Sequence, residues 1–203
     1  MSRHTRKYQC KKSTLLEYHE IIECIMAALD AKIPYMAGHS KRVSDMAEIL
    51  CGLLGLNRSE TRMIHIAAHL HDVGKMGIDD AILNKEGKLD EQEWKMMKTH
   101  PQIDANILDK SHLLAPFNKI VLHHHERFDG KGYIYGLKGK EIPLGSRIIR
   151  ICDVYDAMTS IRPYHTGKSM DETMNYIRSH AGILFDESLV QLFSIIIQRK
   201  KEI

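Results

Sequence analysis

The chain has no Cys-x-x-Cys pair: its four cysteines, Cys10, Cys24, Cys51 and Cys152, are scattered, and three fall in apolar helical surroundings. That spacing offers neither a zinc site nor a redox couple, and the thiols are expected to be buried. No apolar run approaches the roughly 18–20 residues of a membrane span. The first residues also lack a signal peptide's apolar segment, so a soluble, cytoplasmic protein is expected. A formal net charge of +3 is too small to argue for a nucleic-acid polymer as partner. Aromatic side chains are scarce, with one tryptophan and four phenylalanines, whereas histidines number thirteen. Imidazole is the commonest metal-ligating side chain, so this surplus points towards a metal without locating it.

What is present suits one domain with a real core: 203 residues, 43% of them hydrophobic. Residues 1–13 carry Arg3, Arg6, Lys7, Lys11 and Lys12 with almost nothing apolar, and are expected to form a flexible basic leader. From Thr14 to Lys32 apolar residues recur at helical spacing, and Pro34 breaks the run. A second helix is predicted over 36–54, stopped by Gly55. Asn57 with Glu60 is a capping box that starts a third, running into His71-Asp72-Val73-Gly74-Lys75, with Gly74 as its expected stop. Asp90 with Glu93 caps a short helix, and helical segments follow over 101–110 and 116–126. Arg127 to Pro143, rich in glycine, is too long for a mere connection and is a functional candidate. Helices over 144–159, from Ser169-Glu172 onwards, and over 186–200 complete the chain. No strand pair and no repeat emerge, and the architecture expected of residues 14–203 is a single compact all-α domain of roughly seven to nine helices.

Four patches could supply metal ligands: His39, His71-Asp72, His100 and His124-His125. Asp153 is a further candidate, because a carboxylate inside the apolar run Ile148–Tyr155 is costly to bury unless paired or bound to an ion. Imidazoles combined with carboxylates suit a dinuclear iron or manganese centre, one carboxylate bridging both ions. Zinc, nickel, magnesium and cobalt are alternatives, and the lack of cysteine in the set argues against structural zinc. Asp156 is read as a helix or loop hydrogen-bonding residue. His65, His69, His112, His123, His165 and His180 are read as unpaired.

In order along the chain, His39-Ser40-Lys41-Arg42-Val43, His71-Asp72-Val73-Gly74-Lys75, His100-Pro101, His124-His125-Glu126-Arg127, Asp129-Gly130-Lys131-Gly132-Tyr133 and Asp153-Val154-Tyr155-Asp156 resemble the HD-GYP domain. This is a branch of the HD-domain metal-dependent phosphohydrolases, and the resemblance runs from about residue 14 to the C-terminus. It implies a phosphodiesterase of cyclic di-GMP or a related cyclic dinucleotide. It further implies that Asp72 bridges two divalent ions, with His71, Asp153 and His39 on one and His100, His124 and His125 on the other. Lys75 would sit beside them to meet a phosphate oxygen, making Asp72 and Lys75 the catalytic pair. Asp129, Gly130, Tyr133 and Arg162 would hold substrate. The Arg127–Pro143 loop could also dock a signalling protein, and a dimer is left open.

The chain departs from the family pattern in two informative places. Gly132-Tyr133-Ile134 lacks the proline of the Gly-Tyr-Pro signature, which removes a fixed backbone torsion and is expected to alter loop mobility, substrate choice or docking. Where some relatives carry a glutamate one turn before the first histidine and bind a third ion, this chain has Tyr35. The site is therefore expected to be dinuclear and the main product to be linear pGpG. Asp79, Glu86 and Ile161 are lesser departures and look like surface drift. Two other readings are an HD-type hydrolase of another cyclic dinucleotide or nucleotide, and a non-catalytic module binding nucleotide or protein.

Overall fold

The computed structural model describes residues 19–161 and 166–201. The basic leader, Cys10, the expected start at Thr14, and Arg162 and His165 lie outside the described residues. Among those described there are no strands, and the expected all-helical architecture is what the chain adopts. The helices are α1 (19–32), α2 (His39–Leu53), α3 (Arg58–Leu70), α4 (Asp80–Leu83), α5 (Glu91–Met97), α6 (His100–Leu108), α7 (Asn118–Leu122), α8 (Leu144–Thr159), α9 (Met170–Ser179) and α10 (Glu187–Lys201).

Local signals start three of these helices where expected. Asn57, Asp90 and Ser169 each accept backbone N–H groups of the following turn, while Glu60, Glu93 and Glu172 reach back to the cap residue. Each box satisfies donors that a helix N-terminus leaves unpaired. The core lies between α2, α3 and α8, closed by α9 and α10. Leu50, Ile148, Ile149 and Phe193 are completely buried in it. Each such side chain contributes on the order of 1.5–3 kcal/mol on burial. Cys51 and Cys152 are buried as expected, but Cys24 is exposed: it falls on the outer face of α1.

Several helix ends differ from the sequence reading: α2 starts at His39, not 36, because Pro34–Met36 form a separate 3-10 turn and Gly38 is left-handed. Two others bear on the site. α7 stops at Leu122, short of residue 126, because the His124 ring takes the Val121 carbonyl and the backbone folds into a turn. α3 stops at Leu70, and Gly74 is not its terminator. Gly74 lies inside a 3-10 turn, Val73–Gly77, that packs directly on α6. A Cβ there would stand 2.3 Å from the His100 carbonyl oxygen and 2.5 Å from the Asp104 amide. The residue is glycine because α6 needs that space.

Replacing Gly74 by alanine is accordingly expected to cost about 1–3 kcal/mol through overpacking. Thermal unfolding of the variant should show a melting temperature lower by several degrees, whereas Gly52→Ala, with open space around its Cβ, should not.

Candidate metal centre

Asp72 occupies the residue after α3's C-cap, with φ −116° and ψ 5°, near the sparsely populated bridge region. Its carboxylate is buried and surrounded by histidines from different elements. Oδ2 lies 3.6 Å from His39 Nε2 and 3.4 Å from His71 Nε2, and Oδ1 lies 3.5 Å from His100 Nε2. His39 opens α2, His71 ends α3, His100 opens α6, and His124-His125 follow α7. Asp153, on α8, places Oδ1 3.4 Å from His39 Nε2. Two groups of potential ligand atoms result: Asp72, His100, His124 and His125, and beside them His39, His71 and Asp153. The structure thus brings together all seven residues singled out as ligands.

One local device aims three of the rings. His71 Nδ1 donates to the Ala68 carbonyl (2.7 Å), His100 Nδ1 to Met97 (2.8 Å) and His124 Nδ1 to Val121 (2.6 Å). Each acceptor is a carbonyl three residues back, in the last turn of α3, α5 or α7, where the i+4 N–H groups of the helix have run out; Val121 also takes the His124 N–H at 3.3 Å. With the proton fixed on Nδ1, the Nε2 lone pair points inwards. His39 is aimed differently: Asp156 Oδ2 accepts its Nδ1–H at 2.7 Å. His39 Nε2, His71 Nε2 and Asp72 Oδ1 are buried without a hydrogen-bond partner. Orphaned buried atoms of this kind, all of ligating type, fit divalent ions.

His125 is arranged in the opposite sense. Arg150 donates to its Nδ1 at 3.0 Å, so the neutral ring carries its hydrogen on Nε2, 3.1 Å from His100 Nε2. For Nε2 of this ring to ligate, the Arg150 contact has to open. Lys75 stands where it was expected, Nζ 2.7 Å from Asp72 Oδ2. Tyr133 also reaches the site, its ring stacked on His125 at 4.9 Å. Asp129 does not: Arg127 grips both its oxygens, the Lys131 N–H donates to it, and it organises the loop. Gly130 serves the same loop, with φ +81°. The Tyr133–Ile134 peptide is cis.

Three residues that matter were undervalued or missed. Asp156 also receives Arg42, from Nε at 2.6 Å and from Nη2 at 3.0 Å, and anchors His39. Only its position one turn after Asp153 hinted at this. Glu126 is buried and accepts the N–H groups of Tyr135 and Gly136 (2.7 and 3.1 Å), fastening the loop beside Tyr133. Asp104, fully buried one turn after His100, accepts the Gly74 N–H. His65 and His69 are not solitary either, because α3 turns both towards His19 of α1.

Charge follows geometry. Burial opposes ionisation of Asp72, but Lys75 and the nearby imidazoles outweigh it and hold the carboxyl well below its usual range. Burial likewise opposes ionisation of Asp153, and His39 reverses the balance. Burial lowers His100 to about 4 and pushes His124 and His125 well down, leaving neutral rings. For His39 burial works against the charged ring, yet Asp153 and Asp156 push it up to about 9.

An all-helical domain that gathers imidazoles and carboxylates around one buried aspartate has the donor set of a divalent-metal centre. The chain is a member of the HD domain family, whose sequence profile matches residues 23–189. It is 43% identical over 152 residues to "Cyclic di-GMP phosphodiesterase response regulator RpfG" of Xanthomonas campestris, covering 74% of this chain and 40% of that protein. It is 40% identical over 160 residues to "3'3'-cGAMP-specific phosphodiesterase 3" of Vibrio cholerae, covering 75% and 34%. The chain therefore spans well under half the length of these curated relatives. In fold it is similar to the V. cholerae V-cGAP3 phosphodiesterase, with a TM-score of 0.69, 18% identity, and 88% and 48% of the two chains covered. It also resembles the Listeria monocytogenes PgpH HD domain crystallised with cyclic-di-AMP, at TM-score 0.61 and 20% identity, covering 85% and 92%. Among the described residues no helix is long and apolar enough to cross a membrane.

The raised His39 value has a measurable consequence. Its folded pKa, about 9, lies above the ordinary 6.5. Its contribution to the stability of the metal-free chain is therefore full below about 6.5 and lost as pH rises through about 9. An ion must displace that proton, so affinity at this pocket should rise with pH up to about 9. Calorimetry near pH 7.5, in buffers of different ionisation enthalpy, should read about one proton released for the ion at His39. The His100–His124 pocket should release none. Asp156→Asn should weaken metal binding by about 10–100-fold in chelator competition, because it unfastens the His39 ring.

Proposed function

We propose that the domain is a metal-dependent phosphodiesterase that opens a cyclic dinucleotide, cyclic di-GMP foremost, to the linear form pGpG. The observation that carries this reading is the division of contacts on Asp72, one oxygen facing His39 and His71 and the other facing His100. A carboxylate so flanked suits two divalent ions, iron or manganese by donor chemistry. His39, His71 and Asp153 would hold one, His100, His124 and His125 the other, and Asp72 both. When bound, such ions supply a water of lowered pKa and positive charge against the phosphodiester.

The chain's own groups do the rest. Lys75 is ion-paired with Asp72 at 2.7 Å, and a remaining N–H of its ammonium would meet a non-bridging oxygen and offset its growing charge as phosphorus is attacked in line. Asp156 and the three helix-end carbonyls fix the imidazoles, so little reorganisation is needed during reaction. Tyr133 presents a ring next to His125, with Lys98 Nζ 5.8 Å from its centroid, a surface suited to a base or a phosphate. Asp129 and Gly130 would act through the loop that carries Tyr133, and Arg162 would meet substrate phosphate. Tyr35 supports two ions over three, since its hydroxyl donates to the Leu83 carbonyl at 2.8 Å.

A second reading keeps this chemistry and changes the dinucleotide. It is favoured by the relative named for 3'3'-cGAMP and by Ile134 in place of proline beside Tyr133. A binding module without turnover has no physical need for the full ligand set.

The test is to purify the chain anaerobically, count its iron and manganese, and incubate it with cyclic di-GMP, 3'3'-cGAMP and cyclic-di-AMP. Two ions per chain and a linear dinucleotide product are expected, with Asp72→Ala slower by at least about 100-fold. Three iron or manganese ions per chain, counted in a His65→Gln background that removes the separate His19–His65–His69 cluster, would overturn the dinuclear reading. With both ions bound, failure to cleave any of the three substrates would overturn the enzymatic one.

A further inference from the structure

On the far side of α3 from the candidate centre, His65 and His69 occupy positions i and i+4, the spacing that puts two imidazoles on one helix face. His69 and His71, two residues apart, project about 200° from one another around the helix, so His69 faces away from Asp72. His19, on the first described turn of α1, joins the pair. Its ring centroid lies 5.5 Å from His69 and 5.9 Å from His65, and those two rings are 4.9 Å apart. Each residue offers a ring nitrogen within 4.8 Å of the other two.

Hydrogen bonding sets the tautomer of the innermost ring. Ser44 donates its only hydrogen to the Lys41 carbonyl at 2.8 Å. Towards His69 Nε2, 2.9 Å away, Ser44 therefore acts as acceptor. The ring hydrogen sits on Nε2, and Nδ1 keeps the lone pair. This is the tethering expected of a ligating histidine. His65 Nδ1 is buried without a hydrogen-bond partner, and the Glu48 carboxylate lies 3.3 Å from it. Glu23 lies 3.3 Å from His19 Nε2. The side chains of His19 and His65 are 43% and 18% exposed, which gives an ion a route in from solvent.

From this geometry we infer that His19, His65 and His69 form a second metal site, for one zinc-type transition ion, at the seam between α1 and α3. Three imidazoles with no carboxylate among them favour zinc, copper or nickel over manganese or magnesium, in contrast to the mixed set around Asp72. A carboxylate from Glu48 or Glu23, or water, completes a tetrahedral shell. The ion clips α1 to α3, so it acts on the stability of the helical packing and not on the phosphodiester.

Because zinc can also enter the other centre, the test compares proteins that differ only at the new site. Zinc binding to the full chain is measured by chelator competition in the Asp72→Ala background, with and without His65→Gln, and again with His19→Gln. Each glutamine variant is expected to weaken one zinc equivalent by about 100-fold or more and to remove the zinc-induced rise in melting temperature. Crystals soaked in zinc should give an anomalous peak between the three rings. Unchanged zinc affinity in the more exposed His19→Gln, which leaves the core intact, would overturn the proposal, as would an anomalous map with no peak there. Either result leaves the cyclic-dinucleotide reading unaffected, since that rests on Asp72.

Discussion

A carboxylate cannot lie bare in a protein interior, and the arrangement of this domain follows from how Asp72 is compensated. An isolated buried anion would be neutralised or expelled. Here Lys75 and imidazoles from three helices hold it ionised, and each of those imidazoles has to be fixed in turn. The demand passes outwards: from Asp72 to His39, from His39 to Asp156, and from Asp156 to Arg42 at the surface. The core packing of α2, α3 and α8 therefore supports a polar chain that runs from solvent to the middle of the domain.

The close approach of α6 belongs to the same requirement. His100 can face Asp72 only if α6 comes within backbone contact of the turn after α3, and Gly74 permits it. Asp104 then secures that turn by accepting the glycine's N–H. A residue first taken for a helix terminator is thus a spacing element for a ligand that lies beyond it in sequence.

Legibility in the sequence varied with how local the signal was. The helices were readable because capping boxes and apolar periodicity are written within a few residues, as at Asn57-Glu60 and Ser169-Glu172. The candidate ligands stood out because their order matched a family pattern, and chemistry accounted for the types. Asp156 was undervalued and Asp104 missed because each acts through a partner distant in sequence; Glu126 stood inside the quoted His124–Arg127 run, but its role depends on how the following loop folds back to offer the Tyr135 and Gly136 N–H groups. Asp129 sits in a conspicuous motif, yet Arg127, two residues back, takes up its charge, a pairing that the motif alone does not announce. The His65–His69 pair carried a visible i,i+4 signal whose third member comes from another helix.

The three histidines at the ends of α3, α5 and α7 have a consequence for how the centre assembles. Each Nδ1–H bond spans three residues, so the loop it closes costs little entropy and needs no other part of the fold. The rings can be oriented as soon as their own helices form. Docking of the helices then brings pre-aimed nitrogens to a common point, with no separate search through rotamers. Completing the core and completing the centre become one event. A change of helix length by a single residue would rotate a ligand by about 100° and lose it. Substitutions on the outward helix faces leave the aim untouched, so the centre constrains helix ends far more tightly than helix surfaces.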